Sequence, residues 1–111
     1  MITSGGENIY SAEVESAIST LDSVAEVAVI GIPDETWGEP VHAVVVPRSD
    51  QTVTAEEVIA HSRSRIAHYK CPRSVDVRDT SLPLSGAGKV LRTLLREPFW
   101  SERDKQMKLS R

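Results

Sequence analysis

The sequence holds a single cysteine, Cys71, among 111 residues. One cysteine excludes an internal disulfide framework and suits a reducing compartment. Positive charge is also short: 13 Lys and Arg stand against 16 Asp and Glu, a formal net charge of -3, so bulk charge gives a nucleic-acid partner no support. No apolar run approaches the roughly 20 residues that a membrane-spanning helix needs. The opening MITSGGENIY lacks both the basic and the apolar region of a signal peptide. Its abrupt start, a strand-like pair running into a glycine turn, reads as a segment cut from a longer chain. Repeats and low-complexity segments are lacking as well. What is present is ordinary: 40% hydrophobic and 26% charged residues, enough for one domain with a modest core.

Helix and strand signals alternate along the chain. Ser11 is an N-cap candidate, Glu13 and Glu15 place negative charge near the first turn, and Val14, Ala17, Ile18 and Leu21 form one apolar helix face. The β-branched run from Val24 to Ile32 predicts a strand ending at Pro33-Asp34, and Val41 to Pro47 predicts a second. The eight residues PDETWGEP between them suit a hairpin-like connection. Thr54 and Glu57 form a capping box opening a helix whose Val58, Ile59, Ser62 and Ile66 share a face. Ser74 to Asp79 alternates apolar and charged residues, as a half-buried strand does. Leu91, Leu94 and Leu95 mark a last short helix, with Pro98 as its expected stop. The expected fold is α+β: a small central β-sheet with two helices on one face, spanning 1–97, followed by a frayed tail over 98–111.

Four stretches spend residues that a core does not need. SGGENIY (Ser4–Tyr10) has adjacent glycines, suited either to a tight turn or to backbone lying close to a ligand, with Glu7 and Asn8 as polar contacts. PDETWGE puts Trp37 in a polar loop, either folded back on the sheet or offered as a stacking surface for a ring. YKCPR gathers Tyr69, Lys70 and Arg73 after the second helix; cations suit a helix C-terminus, and the same set could bind a phosphorylated nucleotide. PLSGAGK ends on Lys89. A phosphate-binding loop of the form G-x-x-x-x-G-K-S or T is excluded, because Gly86 is two residues from Gly88 and Val90 follows the lysine. Lys89 reads instead as a mobile cation delivered to a site elsewhere. His42, His61 and His68 have no metal-ligand spacing with Cys71, and Cys71 has no visible charge-relay partner.

Taken in order, SGGENIYSAEVE, PDETWGE, YKCPR and LPLSGAGKVLR resemble four signatures of the C-terminal domain of the AMP-forming acyl-CoA synthetases, the adenylate-forming superfamily. The resemblance runs from Met1 to about Arg96, and SGGENIY is closer to the fatty-acid and aryl-acid CoA ligases than to the luciferase or peptide-synthetase branches. It implies a lid working over a large N-terminal domain that binds ATP, its Mg2+ and the carboxylic acid. It implies that Lys89 is the catalytic adenylation lysine. After domain rotation, Ser4, Gly5, Gly6, Glu7 and Asn8 would line the passage for the pantetheine arm of CoA. Trp37, Tyr69 and Arg73 match positions that hold the CoA nucleotide in some aryl-acid ligases. In those enzymes the position of Cys71 can be an arginine; here Lys70 or Arg73 would substitute. Ser11 stands where the family usually has proline.

The resemblance also implies what this segment lacks: the phosphate loop, the acid pocket and the hinge residue expected just before Met1. The chain alone is therefore expected to be inactive, as one part of a cytoplasmic enzyme without a membrane span or a nucleic-acid partner. Two rivals remain, a free-standing binding module derived from such a lid and an unrelated small α+β domain.

Overall fold

The computed structural model describes residues 2–4, 7–32, 40–83, 92 and 94–100. Two runs rich in β-branched residues, Val24–Gly31 and Val41–Pro47, form the antiparallel pair of the larger sheet. β-Branched side chains lose little by being stiff on a pleated surface, and they pack well there.

The chain opens with a hairpin of two three-residue strands, β1 (Ile2–Ser4) and β2 (Glu7–Ile9), paired antiparallel with Ile2 opposite Ile9. Helix α1 (Ser11–Ser19) follows. Strands β3 (Val24–Gly31) and β4 (Val41–Pro47) pair antiparallel, with Val27 opposite Val45 and Val29 opposite Ala43. Helix α2 (Ala55–Arg63) and a 3₁₀ turn (His68–Lys70) lead to β5 (Ser74–Val77), which lies parallel to β4. The second sheet is therefore mixed, in the order β3-β4-β5.

Six consecutive residues of β4, Val41–Val46, are buried, the signature of a strand covered on both faces. One face packs Val29, Val41, Ala43 and Val45 against Val14 and Ile18 of α1, Val58 of α2, and Ile2 and Ile9 of the hairpin. The other packs Ala28, Ile30, Val44 and Val46 against Leu82 and Leu95, with Ile32 and Phe99 half-buried beside them. Each fully buried Val or Ile stabilises the fold by about 1.5–3 kcal/mol, so both layers matter.

The α+β class and the two helices on one face match the sequence expectation, and three details differ. The first β element is a hairpin. Helix α1 begins at Ser11 with Tyr10 in the N-cap position, and no side chain caps it; the turn closes instead through the Glu13 amide donating to the Tyr10 carbonyl at 3.1 Å. Pro98 does not end the last helix, because residues 94–100 are helical. A proline removes one backbone bond, but stopping there would take Phe99 off the second layer and lose the Trp100 Nε1 donation to the Gly31 carbonyl at 3.0 Å. By contrast, Thr54 caps α2 as expected, accepting from the Glu57 amide at 3.2 Å. Residues 101–111 of the expected tail lie outside the described residues.

Candidate functional site

The stretch YKCPR is built where α2 ends. Ile66 continues the turn of α2 by donating its amide to the Ser62 carbonyl at 2.9 Å, and the Cys71 amide closes the 3₁₀ turn on His68 at 3.1 Å. The Arg73 amide then donates to the Val41 carbonyl at 2.8 Å, which fixes the chain to the sheet just before β5. Between these anchors lies a surface groove of about 400 Å³. Ile59, Cys71 and Pro72 supply its apolar lining, and Arg63, His68, Tyr69 and Arg73 its polar one. Tyr69 is half exposed, at 49%, with the Lys70 ammonium over its ring at 5.6 Å from the centroid. Two arginines and a half-exposed ring line one groove, a set of residue types that suits a phosphorylated aromatic ligand.

The groove gathers Tyr69 and Arg73 as the sequence suggested, and adds Arg63, which sequence reasoning missed. Its signal was the helical spacing from Ile59 to Arg63, which aligns one apolar and one cationic side chain toward the same turn. Lys70 lies over the Tyr69 ring but does not line the groove. Its Nζ donates to both carboxylate oxygens of Glu13 on α1, at 2.5 and 2.9 Å, and this hydrogen bond holds its pKa above the ordinary lysine value. Lys70 thereby ties the 3₁₀ turn to α1. The Cys71 residue is only 4% exposed; burial raises its pKa, so the thiolate that a nucleophile needs is disfavoured.

Asn8 is exposed on β2, while its neighbour Ile9 is fully buried. The alternation anchors the hairpin through Ile2 and Ile9 and turns Asn8 outward. Ser4 pairs with Glu7, which leaves Gly5 and Gly6 to connect the strands. Gly5, Gly6, Trp37 and Lys89, and the side chains of Ser4 and Glu7, lie outside the described residues. Among the described residues no three His, Cys, Asp or Glu side chains gather as metal ligands. Nor is any described helix long and apolar enough to cross a membrane.

One histidine sits where the pattern calls for an apolar residue. His42 of β4 is 6% exposed and lies on the second layer, its ring 5.2 Å from that of Phe99. Its Nδ1 lies 2.6 Å from the Ser74 hydroxyl, and its buried Nε2 has no partner among the described residues. Burial pushes its pKa below the ordinary 6.5, with Asp76 opposing and Arg78 reinforcing that shift. A lowered folded-state pKa means that the neutral ring is favoured in the fold. Stability is full above about pH 6.5 and falls as pH drops through the folded value. The thermal midpoint is therefore expected to fall between pH 7.5 and 5.5 more steeply in the wild type than in His42→Leu. Parallel curves would show that His42 does not carry this dependence.

A mixed sheet with both faces covered, a hairpin seated on it through Ile2 and Ile9, and a groove lined by Arg63, Tyr69 and Arg73 define a small α+β domain. A profile of the AMP-binding enzyme C-terminal domain matches residues 13–89, and the chain belongs to that family. It is 50% identical over 97 residues to a methyl-dioxo-octahydro-indenyl-propanoyl:CoA ligase of Rhodococcus jostii, covering 87% of this chain and 19% of the relative. It is 48% identical over 99 residues to a feruloyl-CoA synthase of an Amycolatopsis species, covering 89% and 20%. Among solved structures, a fatty acyl CoA synthetase of Mycobacterium tuberculosis superposes with a TM-score of 0.82 at 43% identity, covering 92% of this chain and 20% of the other. The chain spans about a fifth of the length of these relatives.

Proposed function

We propose that this chain is the lid domain of a cytoplasmic, ATP-dependent acid–CoA ligase. The observation that carries the reading is the family match over residues 13–89, which ends on Lys89, together with the groove built around Tyr69, Arg63 and Arg73. In the first half-reaction the acid carboxylate attacks the α-phosphate of ATP, forming an acyl-adenylate and releasing pyrophosphate. Lys89 supplies positive charge to the carboxylate and the α-phosphate as charge redistributes. The lid then rotates. Residues Ser4 to Asn8 line the pantetheine passage, and the CoA thiol displaces AMP to give the thioester. The groove holds the nucleotide end of CoA, with Trp37 and Tyr69 offered to the adenine and Arg63 and Arg73 to phosphate. Lys70 supports this surface by holding the 3₁₀ turn to Glu13.

ATP and Mg2+ are bound mainly by the N-terminal adenylation domain of the same enzyme, which also carries the acid pocket. The lid does not select the acid. Relatives of similar identity carry the names of ligases for a bicyclic propanoate and for ferulate, and an acid bound in another domain leaves no mark on this one. The full-length protein, given a carboxylic acid, ATP and CoA, is expected to form acyl-CoA, AMP and pyrophosphate. The isolated chain is expected to show no ATP–pyrophosphate exchange above the buffer blank. Exchange by the chain alone would overturn the reading, as would undiminished acyl-CoA formation by an enzyme truncated before Met1.

A further inference from the structure

The chain that follows the lysine loop is fastened at a specific place. Arg92, three residues beyond Lys89, donates from Nε to Glu15 Oε2 at 2.8 Å and from Nη2 to Glu15 Oε1. The two residues are 77 positions apart in sequence. Glu15 Oε2 also accepts the backbone amide of Val29 at 2.8 Å. That amide lies on β3, which among the described residues pairs with β4 alone and so forms an edge of the sheet. The carboxylate therefore meets two different demands at once: it satisfies an edge amide, and it receives a guanidinium fork.

The geometry points to Glu15 and Arg92 as positioning residues for acyl-adenylate formation: the pair fixes the far end of the lysine loop. The inference rests on the role proposed for Lys89. Three features set the pair apart from an ordinary surface contact. Glu15 has anchors besides Arg92: its helix is seated by the fully buried Val14 and Ile18, and its side chain is held by a backbone donor. The Glu15 side chain is only 15% exposed, although Arg92 is 43% exposed, so the carboxylate has few other conformations. A two-point fork fixes direction as well as distance, which a single ammonium cannot. Beyond Arg92, Leu95 is buried on the second layer. The chain after the lysine is thus tied both to α1 and to the opposite face of the sheet.

A partly exposed ion pair adds little to global stability. Misplacing a catalytic group by about 1 Å can cost on the order of 10²-fold in rate. The two roles therefore separate experimentally in the full-length enzyme. Arg92→Gln and Glu15→Gln are expected to lower ATP–pyrophosphate exchange on the order of 10²-fold, in kcat more than in KM for ATP. Thioester formation from synthetic acyl-adenylate and CoA should be unchanged, and the thermal midpoint nearly so. Arg92→Lys, which keeps the charge and loses the fork, should recover only part of the exchange rate. An equal fall in both half-reactions, or a loss of exchange that follows the thermal midpoint, overturns the clamp. Lys89→Ala in the same assay separates the two readings. If it blocks exchange while the Glu15 and Arg92 variants do not, the clamp alone fails; if it leaves exchange intact, the lysine assignment fails and the clamp with it.

Discussion

Lys89→Ala in the full-length enzyme is expected to slow acyl-adenylate formation by a factor on the order of 10²–10³, the usual cost of removing one well-placed electrostatic donor. Charge shifts from carboxylate to phosphate as pyrophosphate leaves, and a lysine that meets that charge lowers the barrier only in this step. Thioester formation from ready-made acyl-adenylate should keep its rate, because the proposed rotation of the lid would carry the lysine away. The fold should be unaffected, since a lysine among glycines contributes little apolar burial. The check supplies the variant with acid plus ATP, or with synthetic acyl-adenylate plus CoA. An equal loss by both routes would refute the division of labour proposed for the two faces of the lid.

The second large effect is expected in the groove. Arg73→Ala should raise KM for CoA about 10- to 150-fold, the equivalent of the roughly 1.5–3 kcal/mol of a hydrogen bond to a charged group, and Arg63→Ala should act in the same direction. Neither should alter ATP–pyrophosphate exchange. Dephospho-CoA, which lacks the 3′-phosphate, identifies the contact. If Arg73 meets that phosphate, the wild type prefers CoA and the variant loses the preference. Equal KM increases for CoA and dephospho-CoA would assign Arg73 to another part of the ligand. Tyr69→Ala should weaken both alike, because stacking is indifferent to the phosphate.

Much of this architecture is legible from local pattern. An apolar run rich in valine such as Val41–Pro47 reads as a strand despite His42, and Thr54 with Glu57 marks a helix start at a fixed spacing. What local pattern cannot show is pairing across the chain. Glu15 reads as first-turn charge until Arg92 and the Val29 amide arrive from 77 and 14 positions away. Lys70 reads as a ligand cation, yet Glu13, 57 positions earlier, receives it. His42 interrupts an apolar run without announcing that Ser74 stands beside it. Pro98 shows the opposite failure, in which a strong local stop signal yields to the packing of Phe99. The site divides in the same way: Tyr69 and Arg73 announce themselves by chemistry, whereas Arg63 joins them only through the turn that follows α2.

The two apolar layers that share β4 have a mechanical meaning. Close-packed interiors are stiff and hardly compressible, and here the hairpin, the groove and the Arg92 anchorage are all seated on the same pair of layers. A push at one is borne by the others with little elastic loss, as along a short rigid lever. The proposed rotation then needs no internal give. On the proposed reading the compliance would belong to the connection that joins this domain to the rest of the enzyme, and the spacing between the hairpin, the groove and the Arg92 anchorage would stay constant through the swing.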